Sequence, residues 1–287
     1  MPAYEPVLVV GATGQQGSAV VRALQALPNP PKIRALSRNP SSPAAQKLKD
    51  QGIEVVKGDL SDAASLDNAL SGVGSAFLVT TLPSKGALPE DEQGKNFVSA
   101  AQRAALRFLV FSSVSDATPT CGIPHFETKA KVEEALKASG LNHAVVAPVA
   151  FHDNFPKKSG FGLAMALGLF DAALYGKKLQ LVGTDDIGYV AAQMLNDPAK
   201  YNGRHIKLAS DSLTMSEVQA AYARVQGHGI WKAWLPGAVI WLLPYDFKMM
   251  MRFFYDKGYS ADLAALRLEF PRLEPFEDWL RRQNKAE

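Results

Sequence analysis

The sequence predicts an α/β fold: a doubly wound parallel sheet with helices on both faces, joined to a smaller, discontinuous C-terminal lobe. Three observations support this prediction. Short runs of consecutive apolar residues recur through the first half of the chain. Segments with helical periodicity separate these runs, and after Pro148 aromatic-rich segments interrupt the alternation. Strands that are apolar throughout are typical of parallel sheets whose two faces are both covered by helices.

Six strands alternate with helices ahead of the C-terminal lobe. The strands are predicted at 7–10, 32–36, 54–58, 75–80, 107–113 and 143–148. Helices are predicted at 15–27, 62–71 and 91–105, and a helix-like run extends from Pro124 to Leu136. Segment 83–94, which contains proline, glycine and several charged residues, is predicted to be a loop. This alternation of strand and helix is how a doubly wound sheet is built.

The change of pattern after Pro148 predicts the domain boundaries. Residues 1–155 are expected to form a nucleotide-binding domain, and strands near 178–195 and 204–210 are expected to return to it. Residues 156–177 and 211–287 are expected to form the smaller lobe. Its aromatic and methionine-rich segment 228–259 favours a small apolar or aromatic ligand. Simple packing of these side chains inside the lobe is the alternative.

Composition excludes several kinds of function. The net charge is only +3, and the 31 Lys and Arg are interspersed with 28 Asp and Glu, so we expect no direct nucleic-acid binding. The single cysteine, Cys121, excludes an intramolecular disulfide, and the five histidines show no metal-binding spacing, so no metal is expected. No apolar stretch reaches the ~20 residues that a membrane span needs. We therefore expect a cytoplasmic protein, a monomer or a homodimer.

A glycine-rich turn follows the first predicted strand, in the sequence VLVVGATGQQGSAVV. Gly11, Gly14 and Gly17 allow the backbone to approach a pyrophosphate closely, and the following helix turns its N-terminus toward the negative charge. Thr13 within the turn strengthens the pattern. Glycines that only close a tight turn are the alternative, but the strand before and the helix after favour dinucleotide binding.

The choice of dinucleotide depends on the end of the second strand. A site for NAD expects Asp or Glu there, but no carboxylate occurs between Glu5 and Asp50. Arg38 stands in the expected place, and a guanidinium can hold a 2′-phosphate through bidentate, charge-assisted hydrogen bonds. The sequence therefore predicts NADP(H) as the cofactor. A solvated surface arginine is the alternative, although it leaves the missing acid unexplained.

The third strand ends in the sequence KGDL, where an adenine edge and face would lie. Asp59 and Leu60 are therefore candidate adenine contacts. Asp59 is equally a candidate N-cap for the following helix, and Ser61 and Asp62 compete for that position.

Several motifs together resemble one family. They are GATGQQG, SRNP, GDLSD, DEQGKNFVSAAQ, FLVFSSVSDA, HFETKAKVEEALKASGL, PVAFHDNF, TDDIG and GYSADLAALRLEFPRLEPFEDWL. In this order they resemble the NmrA-like family of atypical short-chain dehydrogenases/reductases. The resemblance implies a Rossmann fold that prefers NADP. It also implies one of two functions, because the family contains isoflavone-reductase-like enzymes and quinone reductases as well as regulators that sense the NADP(H) state.

The resemblance also implies cofactor-binding residues. The phosphate loop comprises Gly11, Thr13, Gly14, Gln15, Gln16 and Gly17, and Arg38 matches the arginine that binds the 2′-phosphate. Thr80 resembles a position on the ribose side of the cofactor, and Lys129 matches a lysine placed near the nicotinamide ribose. Phe151 and Asn154 lie in a segment that resembles the one closing over the nicotinamide.

The catalytic candidates are Lys129, His125 and Ser113. In the larger superfamily a Tyr-xxx-Lys pair transfers the proton, and here His125 takes the tyrosine position. Positions four apart share one face of a helix, and a histidine titrates near neutral pH, so His125 is able to act as an acid or base. The same His-xxx-Lys pair resembles the sensor-type members, in which it is not catalytic. Ser113 lies where a substrate-orienting serine is found, or it caps the turn.

Two functions therefore follow. The favoured one is an NADPH-dependent reductase of a small apolar or aromatic carbonyl, quinone or conjugated double bond. The other is a non-catalytic NADP(H) sensor, linked to transcription, that acts through a protein partner.

Overall fold

A computed structural model of the chain describes residues 4–81 and 87–285. Residues 83–86 of the predicted loop lie outside this range, so the structure addresses only its second part. Within the described residues, no helix combines the length and the apolar character needed to cross a bilayer.

The described residues form ten strands and twelve α-helices. The strands are β1 (Val7–Val9), β2 (Ile33–Ser37), β3 (Glu54–Lys57), β4 (Ser75–Val79), β5 (Phe108–Ser112), β6 (His143–Pro148), β7 (Ala150–Phe151), β8 (Leu179–Val182), β9 (His205–Leu208) and β10 (Asp211–Leu213). The helices are α1 (Gln15–Gln25), α2 (Pro43–Asp50), α3 (Ala63–Leu70), α4 (Glu90–Arg103), α5 (Pro124–Ala138), α6 (Phe161–Leu174), α7 (Thr184–Asn196), α8 (Pro198–Tyr201), α9 (Met215–Gln226), α10 (Tyr245–Asp256), α11 (Leu263–Glu269) and α12 (Phe276–Lys285).

The large sheet has seven strands in the order β3-β2-β1-β4-β5-β6-β9. The pairs from β3 through β6 are parallel. The predicted doubly wound α/β fold is thus confirmed, and all six predicted strands are present. The strand order reverses between β1 and β4, and ligands of open α/β sheets bind at the carboxyl ends of the strands beside such a reversal.

The central strands are buried because their sequences are apolar on both faces. Every residue of β1, β4 and β5 is buried. Helices supply the covering side chains, including Phe97 of α4 and Val132 and Leu136 of α5, all 0% exposed. The continuous apolar runs in the sequence therefore correspond to burial on both faces of the sheet.

Two late strands were predicted to return to this sheet, and only one does. β9 joins β6 at the edge of the large sheet. The prediction for β8 is wrong, because β8 pairs with β7 and β10 in a separate three-stranded sheet. Both strands are short and apolar, so their sequences specify a strand but not a pairing partner.

The chain divides into two compact units. The first comprises Met1–Cys121, His125–Ala147 and Ile187–Ile206, and the second comprises Gly122–Pro124, Pro148–Asp186 and Lys207–Glu287. The second unit is discontinuous, as the smaller lobe was expected to be. It also takes in Pro148–Phe155 and β8, because the residues after β6 build the three-stranded sheet. Whether the two units fold as separate domains stays a prediction.

Residues 90–94, the last part of the predicted loop 83–94, are helical. α4 begins at Glu90, one residue before the predicted start of the helix 91–105 and four residues before the expected end of the loop. Glu90 and Gln93 are buried although both are polar. The sequence GALPEDEQG resembles a solvated loop because three of its nine residues are acidic, but one of these, Glu90, has buried partners that only the tertiary structure reveals.

Candidate functional site

The glycine-rich turn connects β1 to α1 in a conformation that needs glycine. Gly11 has a φ of 68°, in the left-handed region, and its carbonyl accepts a hydrogen bond of 2.8 Å from the N–H of Gly14. A Cβ on Gly17 would overlap the carbonyl of Gly11. The three glycines therefore hold the start of α1 directly against the end of β1, as a pyrophosphate-binding turn requires.

The N-terminus of α1 has no side-chain cap among the described residues. The first N–H groups of a helix have no partner inside the helix, and they attract an anion. Thr13, Gly14 and Gln15 are exposed beside them. Gln16 is held differently, because its Oε1 accepts a hydrogen bond of 2.6 Å from Ser112 Oγ at the end of β5.

A cavity of about 400 Å³ lies at the carboxyl ends of β1 to β4. Its lining brings together Gly11, Thr13 and Gly14 of the glycine-rich turn with Arg38, Asp59 and Leu60. These residues come from three separate loops, and the sequence predicted all six as cofactor contacts. The role of each stays a prediction, but their common cavity is a structural fact.

Arg38 is exposed on one side of this cavity. Its guanidinium has no hydrogen bond or ion pair within residues 4–81 and 87–285. Its neighbours Ser37, Asn39 and Ser42 line the same cavity, and none of them is acidic. The Ser42 side chain also caps α2. The site therefore offers an unpaired cation and hydrogen-bonding groups, which suits a phosphate and not a bare ribose hydroxyl.

The structure separates the two candidate roles of Asp59. The N-cap of α3 is Asp62, whose carboxylate accepts a hydrogen bond of 3.2 Å from the Ser65 N–H. Asp59 instead accepts a hydrogen bond of 2.8 Å from the Ser61 N–H and lines the cavity. Asp59 is thus available to the cavity, with Leu60 beside it.

Lys129 lies in a polar cluster at the end of β4. Its Nζ donates to the Thr80 carbonyl (2.8 Å) and to Thr80 Oγ1 (2.9 Å) and forms an ion pair with Glu90 Oε1 (2.9 Å). The side chains of Lys129 and Glu90 are only 14% and 4% exposed. These contacts use all three N–H donors of the ammonium group. A ligand hydroxyl must therefore replace one of them.

Glu90 is the residue of this cluster that the sequence analysis missed. Burial alone would raise the pKa of its carboxyl group, but three partners outweigh burial and lower it below 4.5. They are the charge and hydrogen bond of Lys129 and the hydroxyl donors of Thr128 (2.7 Å) and Thr80 (3.0 Å). Glu90 is thus a carboxylate that holds Lys129 in place. Its only sequence signal is its position after Pro89 at the start of α4, which does not reveal a partner 39 residues away.

His125 lies in the first turn of α5, half-buried, with its ring edge-on to Phe126 at 4.8 Å between centroids. Lys129 lies four residues later on the same helix, so the two residues share a face, as the sequence predicted. Whether His125 transfers a proton stays a prediction.

Ser113 contacts Glu133 of α5. Its Oγ donates a hydrogen bond of 2.5 Å to Glu133, which also contacts His205 Nε2 at 3.2 Å. Burial would raise the pKa of the Glu133 carboxyl group, but the hydrogen bonds from His205 and Ser113 outweigh it and lower the pKa. The hydroxyl proton of the buried Ser113 is therefore already used. β5 ends at Ser112, one residue earlier than predicted, and the role of Ser113 stays a prediction.

The sequence profile of the NmrA-like family matches residues 4–277, which is nearly the whole chain. The chain belongs to the NmrA-like family. An NmrA-like oxidoreductase of Aspergillus hancockii, hkm9, is 30% identical over 251 residues, covering 79% of this chain and 74% of that protein. Quinone oxidoreductase 2 of Escherichia coli is 29% identical over 225 residues, covering 77% of this chain and 74% of that protein.

Solved structures of NmrA-like proteins share the fold. The crystal structure of the E. coli NADPH-dependent quinone oxidoreductase with NADPH has a TM-score of 0.77 at 22% identity and covers 97% of this chain and 100% of its own. The crystal structure of NmrA, a negative transcriptional regulator, has a TM-score of 0.76 at 19% identity and covers 98% of this chain and 97% of its own. An enzyme and a regulator are thus similar in fold to this NmrA-like chain, so the fold does not choose between the two functions.

Two predicted contacts of this NmrA-like chain lie in the second unit. Phe151 is half-buried in β7, and Asn154 is exposed in a single 3₁₀ turn, His152–Asn154. Their predicted contact with the nicotinamide stays a prediction. Among the described residues, no cluster of His, Cys, Asp and Glu has a metal-binding arrangement.

Proposed function

We propose that the chain is an NADPH-dependent reductase of a small apolar or aromatic carbonyl, quinone or conjugated double bond. The observation that carries this proposal is the cavity that unites the glycine-rich turn, the unpaired Arg38 and the Asp59–Leu60 pair. The names of the quinone oxidoreductase and the fungal NmrA-like oxidoreductase support the same class of reaction.

The residues fit NADP(H) in three respects. The uncapped N-terminus of α1 would hold the pyrophosphate, and Gly17 lets α1 start directly against the glycine-rich turn. Arg38 binds the 2′-phosphate with its free guanidinium. Asp59 and Leu60 contact the adenine. The cofactor supplies a hydride to the substrate when bound.

Lys129 has the role of binding the nicotinamide ribose. Its ammonium group is placed by Glu90 and Thr80, and one of its three donors would hold a ribose hydroxyl. His125, on the same face of α5, or an ordered water then delivers the proton that balances the hydride. General acid catalysis of this kind contributes about 10²–10⁴ in rate.

The second candidate function is a non-catalytic NADP(H) sensor that acts through a protein partner. The specific observation in its favour is that all three donors of Lys129 are used within the protein. Cofactor binding at Lys129 would break its contact with Thr80 or Glu90, and this change would be the signal of a sensor. We prefer the reductase because of the names of the two oxidoreductase relatives.

Steady-state oxidation of NADPH by the purified protein tests the reductase, with quinones, enals and aromatic ketones as substrates. We expect turnover with at least one class, a loss of about 10²-fold or more in kcat/KM for Lys129→Ala, and a smaller loss for His125→Ala. Lys131→Ala, an exposed lysine on the same helix, is the matched control and should match the wild type. NADPH binding without any turnover above background, together with a purely binding effect of Lys129→Ala, would exclude the enzyme and leave the sensor.

Binding of NADPH and NADH to Arg38→Glu tests the cofactor separately. Each charge-assisted hydrogen bond contributes about 1.5–3 kcal/mol, so the wild type should prefer NADPH by about ten-fold or more. The variant should lose this preference, whereas Lys49→Glu, an exposed control, should keep it. An unchanged ratio of dissociation constants in Arg38→Glu would contradict the assignment of the 2′-phosphate site.

A further inference from the structure

A run of large apolar side chains lies exposed on the second unit between residues 231 and 247, which we call the aromatic segment. Trp234 is 85% exposed, Trp241 71% and Leu242 84%. Trp231, Tyr245 and Phe247 are also exposed. None of the six residues of the 3₁₀ turn Gly237–Leu242, all within the described part of the chain, is buried. Exposed apolar groups of this size are typical of binding surfaces.

Two contacts with α6 hold the start of the aromatic segment in place. The N–H of Ala233 donates a hydrogen bond of 3.1 Å to the carbonyl of Ala164 on α6. Lys232 forms an ion pair of 2.7 Å with Asp171 on the same helix. The small Ala233 is buried at this contact, whereas the neighbouring Trp234 faces outward. At this contact the segment thus buries an alanine and exposes the tryptophan that follows it.

Aromatic side chains are found at both ends of α6. A hollow of about 400 Å³ at the start of the helix is lined by Phe161 and Trp231. A second hollow, of about 340 Å³, beyond its end is lined by Tyr175 and Trp241. Phe161 and Tyr175 are themselves exposed. Exposed aromatic side chains therefore lie at both ends of the helix, which at 14 residues is about 21 Å long.

Basic residues surround this surface. Exposed lysine pairs stand before and after α6, at Lys157–Lys158 and Lys177–Lys178. Residues 156–178 and 228–257 together carry seven Lys and one Arg against three Asp, a net charge of +5. The whole chain has a net charge of +3, so the rest of it is net negative. The net positive charge of the chain thus lies in the two sequence ranges that contain α6 and the aromatic segment.

We propose that the aromatic segment and its lysines bind the surface of an anionic lipid bilayer without crossing it. Tryptophan and tyrosine are enriched at the membrane interface, where their rings lie at the level of the headgroups. Lys248 already lies over the rings of Trp241 (5.7 Å) and Tyr245 (5.8 Å), from where its ammonium group reaches headgroup phosphates. Basic residues near an anionic surface add to the attraction.

The identity of the basic residues favours a bilayer over a protein partner. Seven of the eight are lysines. Lysine is depleted in protein–protein interfaces, in which arginine is enriched, whereas lysine clusters beside aromatic residues are typical of peripheral membrane proteins. The proposal concerns where the protein binds, so it does not depend on the reductase activity.

Vesicle flotation of the full chain tests the proposal. Mixed vesicles of phosphatidylcholine and phosphatidylglycerol should carry the wild type, and phosphatidylcholine vesicles should carry at least about ten-fold less. The tryptophan emission should shift to the blue on binding, and brominated lipid should quench it. Lack of binding to the mixed vesicles at low salt would overturn the proposal.

Two pairs of variants identify the surface. The triple variant Trp234→Ser, Trp241→Ser, Leu242→Ser should lose binding to the mixed vesicles, whereas Leu268→Ser, an exposed leucine on α11, should not. Lys157→Glu with Lys158→Glu should weaken binding by about ten-fold or more, whereas Lys47→Glu with Lys49→Glu on α2 should not. Within residues 4–81 and 87–285, all of these side chains except Trp241 and Lys158 are without a hydrogen bond, ion pair or ring contact. Circular dichroism checks the folding of each variant.

Three outcomes would contradict the assignment. One is a triple variant that folds and still binds vesicles as well as the wild type does. Another is equal weakening by the two lysine pairs, which would indicate general electrostatic attraction. The third is a wild-type dimer that the triple variant converts to a monomer, measured by light scattering, because the aromatic segment would then be a surface between two copies of the chain.

Discussion

At the scale of single residues, the candidate site depends on a buried carboxylate that supports a lysine. Glu90 and Lys129 are almost completely buried, and the ion pair between them is supplemented by the hydroxyl groups of Thr80 and Thr128. The cost of removing both charges from water cancels much of the Coulombic attraction, so the pair as a whole contributes little net stability. Removing only one partner is nevertheless costly, because the other is then buried without compensation.

Glu90→Gln is therefore expected to lower the free energy of unfolding by about 3 kcal/mol at neutral pH and to weaken NADPH binding. Folding lowers the pKa of Glu90 below 4.5, the pKa in the unfolded chain. The ionised carboxylate therefore stabilises the fold fully above pH 4.5. This stabilisation is lost as the pH falls through the lower pKa of the folded state. The difference between the variant and the wild type should thus shrink as the pH falls below 4.5. Denaturant unfolding at several pH values measures it, with the exposed Glu92→Gln as the control. Equal stability of Glu90→Gln and the wild type at pH 7 would contradict this role.

At the scale of elements, close contacts between backbones determine where the helices of the first unit lie. Gly17 holds the start of α1 against the glycine-rich turn, and Gly188 of α7 faces the backbone of Ala19 on α1. A Cβ at Gly188 would overlap that backbone, which cannot move aside as a flexible side chain can. The position of α1, and with it the phosphate-binding turn, therefore depends on α7, a helix more than 160 residues away in the sequence.

Gly188→Ala should destabilise the protein by about 1–3 kcal/mol, because the added methyl group separates α7 from α1. It should also weaken NADPH binding. The control is Gly162→Ala, on the exposed side of α6, where the nearest atom would be 3.8 Å from the new Cβ. Alanine has the higher helix propensity, so this control should be neutral or stabilising by up to about 1 kcal/mol. Thermal unfolding compares the two variants, and an unaffected Gly188→Ala would show that α7 is free to shift.

At the scale of the whole molecule, two buried titratable groups of the second unit give stability a dependence on pH. Burial raises the pKa of Asp186 to about 7, against hydrogen bonds from the backbone of Glu274 and Gly183. Burial and then the positive charge of Arg282 lower the pKa of His152 to about 3. His152 is 0% exposed, and neither ring nitrogen has a hydrogen-bond partner among the described residues. As the pH rises from about 4 to 7, Asp186 ionises more readily in the unfolded chain, so the free energy of unfolding falls. As the pH falls from about 6.5 to 3, His152 is protonated more readily in the unfolded chain, so the free energy of unfolding falls again.

Asp186→Asn should remove the first of these effects. The asparagine keeps an acceptor for the Glu274 N–H but carries no charge, so the variant should be more stable than the wild type above pH 7. A shift of about three pKa units corresponds to an upper limit of about 4 kcal/mol. The advantage should disappear below about pH 4, where aspartate is protonated in both states. Chemical denaturation between pH 4 and 8 measures it, with the exposed Asp278→Asn as the control. An advantage that does not change with pH would contradict the raised pKa.

The sequence by itself determined the elements whose signals are local. Continuous apolar runs predicted the six strands β1 to β6, and the glycine spacing predicted the turn before α1. In each case the physical cause lies within a few neighbouring residues. The phosphate site at Arg38 stays a prediction.

Only the tertiary structure decided which distant groups meet. It paired β8 with β7 instead of with the large sheet, gave Lys129 its partner Glu90, turned Ser113 toward Glu133 and left Trp234 exposed. The free energy of each of these contacts depends on burial and on the positions of atoms from remote segments. A short apolar strand, a glutamate or a tryptophan has the same local pattern whether such a partner is present or absent.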